Sequence, residues 1–71
     1  MEFLKLKKRT YTLSGHRTSV ALEEEFWAVL EAAALPGSLA ALVAGIDAAR
    51  GARPLASALR LHALALVRAG S

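Results

Sequence analysis

From Arg17 to Leu22 the chain alternates, with Thr18, Val20 and Leu22 on one side and Arg17, Ser19 and Ala21 on the other. A period of two belongs to a half-buried strand, here about residues 16–22. Upstream, residues 10–13 are rich in β-branched residues and lead into Ser14-Gly15. The pattern leaves open whether Thr10–Leu13 forms a second short strand or the chain has a single one. After Leu22 the period changes. Leu22, Phe26, Val29, Leu30 and Ala33 recur at helical spacing, which predicts helix A over about 23–35. Pro36-Gly37 stops it. Ser38 suits an N-cap, and Leu39, Leu42, Val43 and Ile46 mark helix B over about 38–50, ended by Gly51. Pro54 suits the first turn of helix C, about 54–69, with Leu55, Leu59, His62 and Leu66 on one stripe. Leu61 and Leu64 make a second side of helix C apolar.

These elements describe a mainly α chain with one short β-strand. A lone strand with one apolar face is not stable, because its backbone groups lack partners. If a second copy supplies the same strand, the two make an antiparallel ribbon about a two-fold axis. Size argues the same way. A core built from 71 residues supplies only roughly 3–5 kcal/mol unless something braces it. The chain has no cysteine, so neither a disulfide nor a thiolate metal site is available. Its two histidines lie far apart in sequence, so no metal and no cofactor is expected. The composition is 55% hydrophobic but only 6% aromatic, which favours helices with more apolar area than one small chain hides. A homodimer is the expected brace.

The net charge of +3 and the pI near 10.0 point to an anionic partner. Lys5, Lys7, Lys8, Arg9 and Arg17 fall in the first 17 residues against Glu2 alone. Residues 1–9 therefore read as a basic N-terminal arm, and residues 10–71 as the folded domain. No apolar run reaches a membrane-span length, and no apolar stretch follows the early charges as in a secretory signal. The expectation is a cytoplasmic, nucleoid-associated protein. Membrane-surface binding by an amphipathic helix would need Lys and Arg along its flank, and these helices carry few. An enzyme is not expected. Glu23, Glu24 and Glu25 compensate a helix dipole rather than facing one another, and no serine sits in a nucleophile motif.

Arg17-Thr-Ser-Val-Ala-Leu22, Glu23-Glu-Glu-Phe26 and Pro36-Gly-Ser38-Leu39 resemble the ribbon-helix-helix (MetJ/Arc) superfamily of DNA-binding proteins. The run Gly15-His-Arg-Thr-Ser-Val-Ala-Leu-Glu-Glu-Glu-Phe-Trp27 is similar to a family of short bacterial members. So are Ile46-Asp-Ala-Ala-Arg-Gly51 and Ala56-Ser-Ala-Leu-Arg60. The resemblance covers about residues 8–66. It implies an intertwined homodimer whose ribbon lies in the major groove of double-stranded DNA, in a regulator such as a repressor. Arg17, Ser19 and Ala21 would then meet base edges. Thr18, Val20, Leu22, Phe26, Leu30, Leu42 and Ile46 would form the dimer core. The N-terminus of helix B, at Ser38 and Leu39, would grip a phosphate. Ala21 stands where a polar reader is common, and the third helix is an addition to the two-helix pattern.

Each reading has a plainer competitor. Arg17 could be a solvated surface residue or a phosphate contact, and Ser19 could make a cross-strand hydroxyl bond. Lys7, Lys8 and Arg9 are expected to contact phosphates, or else to form a solubilising tail. His16 suits a strand terminus and His62 a packed helix position. Trp27 fits the rim of a dimer interface or plain core. Asp47 and Arg50 read as a surface helix pair. Residues 54–71 could serve instead as a protein-partner segment, as in antitoxin-like modules. Assembly beyond the dimer, side by side on DNA, is compatible with all of this.

Overall fold

A computed structural model describes residues 5–70. The element order is β1 (Leu6–Leu13), β2 (His16–Glu23), α1 (Glu24–Ala34), α2 (Leu39–Ala49) and α3 (Leu55–Ala69). The two strands pair antiparallel, from Leu6 opposite Glu23 to Leu13 opposite His16. The expectation of one strand per chain is therefore corrected, and the hairpin alternative holds. β1 also runs further back than residues 10–13: Leu6 to Arg9, read as arm, belong to the strand. Residues 1–4 of that arm lie outside the described residues. The charges at Lys7, Lys8 and Arg9 masked the strand period, although Arg9, Tyr11 and Leu13 continue one helix-facing row. Ser14 and Gly15 join the strands with φ of 50° and 82°. Two successive positive φ values make a turn whose twist matches a hairpin, and glycine accommodates the second freely.

The core lies where the hairpin's inner face meets the helices. Leu13, Val20, Leu22, Trp27, Leu30, Val43, Leu55, Leu59 and Ala63 form one buried cluster. Full burial of Leu22, Leu30 and Leu59 contributes about 1.5–3 kcal/mol each. Trp27 is 1% exposed, so it is core and not interface rim. The α1 face expected from Phe26, Val29 and Leu30 is turned toward Trp27 and Leu30, with Phe26 and Val29 half-buried. Trp27 decides this, because its indole N–H donates to the Lys7 carbonyl at 2.8 Å and so faces β1.

Ser38 caps α2, its hydroxyl accepting from the Ala41 N–H at 3.0 Å. Gly51, at φ 64°, lets the chain leave α2. The expected helix pair forms, with Arg50 Nε donating to Asp47 Oδ1 at 2.7 Å; Arg50 also donates to the Arg53 carbonyl. α3 buries Leu55, Ala58, Leu59 and Ala63 at helical spacing. Leu61, Leu64 and Val67 on its other side stay about half exposed.

Candidate functional site

Antiparallel partners share a face of a sheet, so the register sorts every residue of the hairpin. One face carries Lys7, Arg9, Tyr11 and Leu13 beside His16, Thr18, Val20 and Leu22, and packs on the helices. The other carries Leu6, Lys8, Thr10 and Thr12 beside Arg17, Ser19, Ala21 and Glu23. On this outer face all but the half-buried Ala21 and Glu23 are exposed. The strand faces expected from the alternation of residues 17–22 are the observed ones.

Beyond the exposed Leu6 at its end, the outer face is polar and nearly free of acid. Among the described residues its one carboxylate is Glu23, at the strand end. Arg60 of α3 donates to Glu23 Oε1 at 2.9 Å, and that bond holds the Glu23 carboxyl below the usual carboxylate range. Glu23 thus ends β2 and precedes α1, rather than sitting in the first turn of the helix. Thr10 and Ser19 hydroxyls lie 2.9 Å apart across the strands. Ser19 therefore makes the cross-strand bond that competed with base reading.

The basic residues divide between the two faces. Lys8 lies with Arg17 on the outer face. Arg9 points inward: its guanidinium donates to Glu31 Oε2 at 2.9 Å and sits 4.8 Å from the centre of the Trp27 ring. The bond to Glu31 raises the Arg9 pKa above its ordinary value. An Arg9 held in this way is a clamp between β1 and α1, on the face opposite Lys8 and Arg17. The Lys7 side chain also belongs to the helix-facing row, although it is exposed.

The backbone identifies the open edge of β2. In a hairpin closed by a two-residue turn, the pair flanking the turn is hydrogen-bonded and the pairs then alternate. Leu13 with His16, Tyr11 with Thr18, Arg9 with Val20 and Lys7 with Leu22 are thus the bonded pairs. The bond from the Glu24 N–H to the Lys5 carbonyl, 3.3 Å, continues the series. Arg17, Ser19 and Ala21 therefore turn their own N–H and C=O groups toward the edge of β2 that β1 does not cover.

Of the residues expected in a dimer core, Val20, Leu22 and Leu30 are buried within the single chain, while Thr18, Phe26, Leu42 and Ile46 are half-buried. Leu42 and Ile46 line an open groove of about 690 Å³ between α2 and α3, with Ala41, Gly45 and Ala49 at one-turn spacing beside them. The first-turn amides of α2, beginning at Leu39, include N–H groups that no helix pairs internally. Ser38 spends its hydroxyl on the cap. His62 is half-buried at the groove's edge. Among the described residues no cluster of three metal-ligating side chains occurs, and no single helix is long and apolar enough to cross a membrane.

Sequence reasoning missed Trp27 as the anchor of β1, and Thr10 and Thr12 as members of the outer face. The signal for the latter was available: threonine at alternate positions continues the strand period past the charged residues. No curated protein and no solved structure matches the chain. The pattern of the ribbon-helix-helix domain family matches residues 6–67, spanning both strands and nearly all of the three helices. The chain belongs to the ribbon-helix-helix domain family.

Proposed function

We propose that the chain is a homodimeric, sequence-specific DNA-binding protein, a bacterial transcription regulator of the repressor type acting at the nucleoid. β2 of each copy pairs with its equivalent across the two-fold axis, and the ribbon so formed enters the major groove. Proteins of this family generally bind DNA as dimers and regulate. The observation that carries the reading for this chain is the outer face of β2: Arg17 and Ser19 are exposed there, beside an unpaired edge that ends in a salt-bridged carboxylate.

Edge chemistry favours pairing through β2. The outer edge of β1 carries Lys7, Lys8 and Arg9 in sequence, and charge on an edge opposes pairing with another strand. Along β2 the one free-standing charge is Arg17, since the Glu23 carboxylate at its end is bound by Arg60. The α2–α3 groove, with its small residues at one-turn spacing, offers Leu42 and Ile46 as shared core. Arg17 would read a guanine through a bidentate bond. The α2 amides from Leu39 would hold a phosphate at the flank of the groove, and dimers would assemble side by side on tandem sites. A role for residues 54–71 in binding a protein partner is confined to the exposed side of α3, at Leu61, Leu64 and Val67, because the other side is core.

Ala21→Pro tests the pairing. The Ala21 N–H faces the open edge, so proline there removes an intermolecular bond and spares the hairpin ladder. Sedimentation equilibrium and duplex DNA titration should show a DNA-binding dimer for the wild type. The variant should retain its helical circular dichroism, sediment as a monomer and lose tight DNA binding. A monomeric wild type, or one that ignores duplex DNA, would overturn the proposal.

A further inference from the structure

We infer that β1 takes part in DNA binding: Lys8, Thr10 and Thr12 bear on the phosphate backbone at the walls of the groove, while Arg17 and Ser19 lie over the bases. The inference rests on the proposed DNA reading and extends it to a strand outside the two-stranded ribbon.

The register is the first support. Lys8, Thr10 and Thr12 lie opposite Ala21, Ser19 and Arg17, so both strands present one continuous face. All three residues of β1 are exposed. The second support is width. Pairing through the open edge of β2 gives the strand order β1, β2, β2, β1. Neighbouring strands lie about 4.8 Å apart, so the outer two are separated by roughly 14 Å before side chains are added. The major groove is about 12 Å wide. Only the central pair fits between the walls. Each β1 then lies over a wall, where the DNA presents phosphates and not base edges.

The chemistry suits that position. Phosphates accept hydrogen bonds and carry negative charge. Lys8 supplies a cation. Two threonine hydroxyls supply donors, and the Thr10–Ser19 pair retains one: sharing a single bond consumes one of its two protons. Along β1 this face carries no carboxylate from Leu6 to Thr12 to repel the backbone. Arg9, the neighbouring cation, is turned to the opposite face and bound to Glu31, so Lys8 is the cation that β1 presents on this face.

The test compares Lys8→Gln, Thr12→Val, Thr10→Val and Arg17→Ala. Each is titrated on its selected duplex and on mixed-sequence DNA over a range of salt, with circular dichroism as a fold check. Wall contacts predict that Lys8→Gln weakens both DNAs equally, and flattens the log–log salt slope by about 1.8 for two copies. Thr12→Val should weaken both DNAs about five-fold with no change in preference. Neutral methylphosphonates placed at the phosphates flanking the motif should abolish the difference between Lys8→Gln and wild type. Arg17→Ala should instead erase the preference. Lys8→Gln and Thr12→Val change exposed positions and decide the matter even if Thr10→Val disturbs the hairpin. If both match wild type on both DNAs while Arg17→Ala loses preference, β1 is a structural strand only and the inference falls, with the proposed function intact. If Lys8→Gln or Thr12→Val changes the preferred sequence, β1 reads bases, and the wall placement is wrong. If the wild type binds no duplex, both fail together.

Discussion

Replacing Trp27 with phenylalanine should cost about 2–3 kcal/mol, and the loss should fall on β1. Three contributions make up the figure. The indole N–H bond to the Lys7 carbonyl, 2.8 Å long, contributes about 1 kcal/mol net. The Arg9 guanidinium stacks 4.8 Å from the ring centre, and a cation over indole at a partly exposed site contributes about 0.5–1 kcal/mol, some of which phenyl keeps. The void left by the smaller ring at a 1%-exposed position costs about 1 kcal/mol more. Urea unfolding would measure this at one fixed protein concentration, since a dimer's apparent stability depends on it. Circular dichroism is the required probe, because Trp27 is the only tryptophan in the chain. Hydrogen exchange then locates the effect. Two of the three contributions end on β1, so the ladder amides of Lys7, Arg9 and Tyr11 should lose more protection than those of α3. A loss under about 0.5 kcal/mol, or β1 amides protected as in wild type, would refute the argument that Trp27 holds the hairpin to α1.

The Glu23–Arg60 bridge makes stability pH-dependent. The folded carboxyl titrates below its unfolded value, so the bridge stabilises fully above the ordinary carboxylate range, and that stability is lost as pH falls through the folded pKa. Thermal melts of Glu23→Gln should therefore vary less with pH than wild type below about pH 4.5, and parallel curves would contradict the assignment. Ser38→Ala removes the α2 cap and should cost about 1 kcal/mol in the same urea assay, an unchanged midpoint being the adverse result. A chain ending at Arg53 lacks Leu55 and Leu59, each contributing about 1.5–3 kcal/mol of burial to a fold of marginal stability. It should be unfolded by circular dichroism, and a folded truncated dimer would show that α3 is dispensable.

The helices were legible because each begins and ends on strong local chemistry. Ser38, Gly51 and Pro54 bound them within a residue or so of where they lie, and the alternation of residues 17–22 assigned the faces of β2 correctly. β1 was legible only in part, because its identity depends on pairing. Lys7, Lys8 and Arg9 in succession read as a solvated arm until β2 and Trp27 give the backbone and the Arg9 side chain partners. Burial of Trp27 was hidden for a related reason. Leu22, Phe26, Val29 and Leu30 mark one face of α1, and only contact with β1 turns the buried stripe toward the indole. For the candidate site, Arg17 and Ser19 follow from strand period alone. Thr10 and Thr12 join them only once the register is known, and the same register removes Arg9 from the outer face.

The central claim, a two-fold dimer reading DNA through paired β2 strands, is tested most directly by selecting from pooled genomic fragments. The salt should be held at about physiological strength, because electrostatic attraction otherwise swamps sequence preference. Sequencing the retained fragments should return one recurring inverted motif, the signature of two equivalent half-sites under one dimer. Retention without any motif, or none at all, would contradict it.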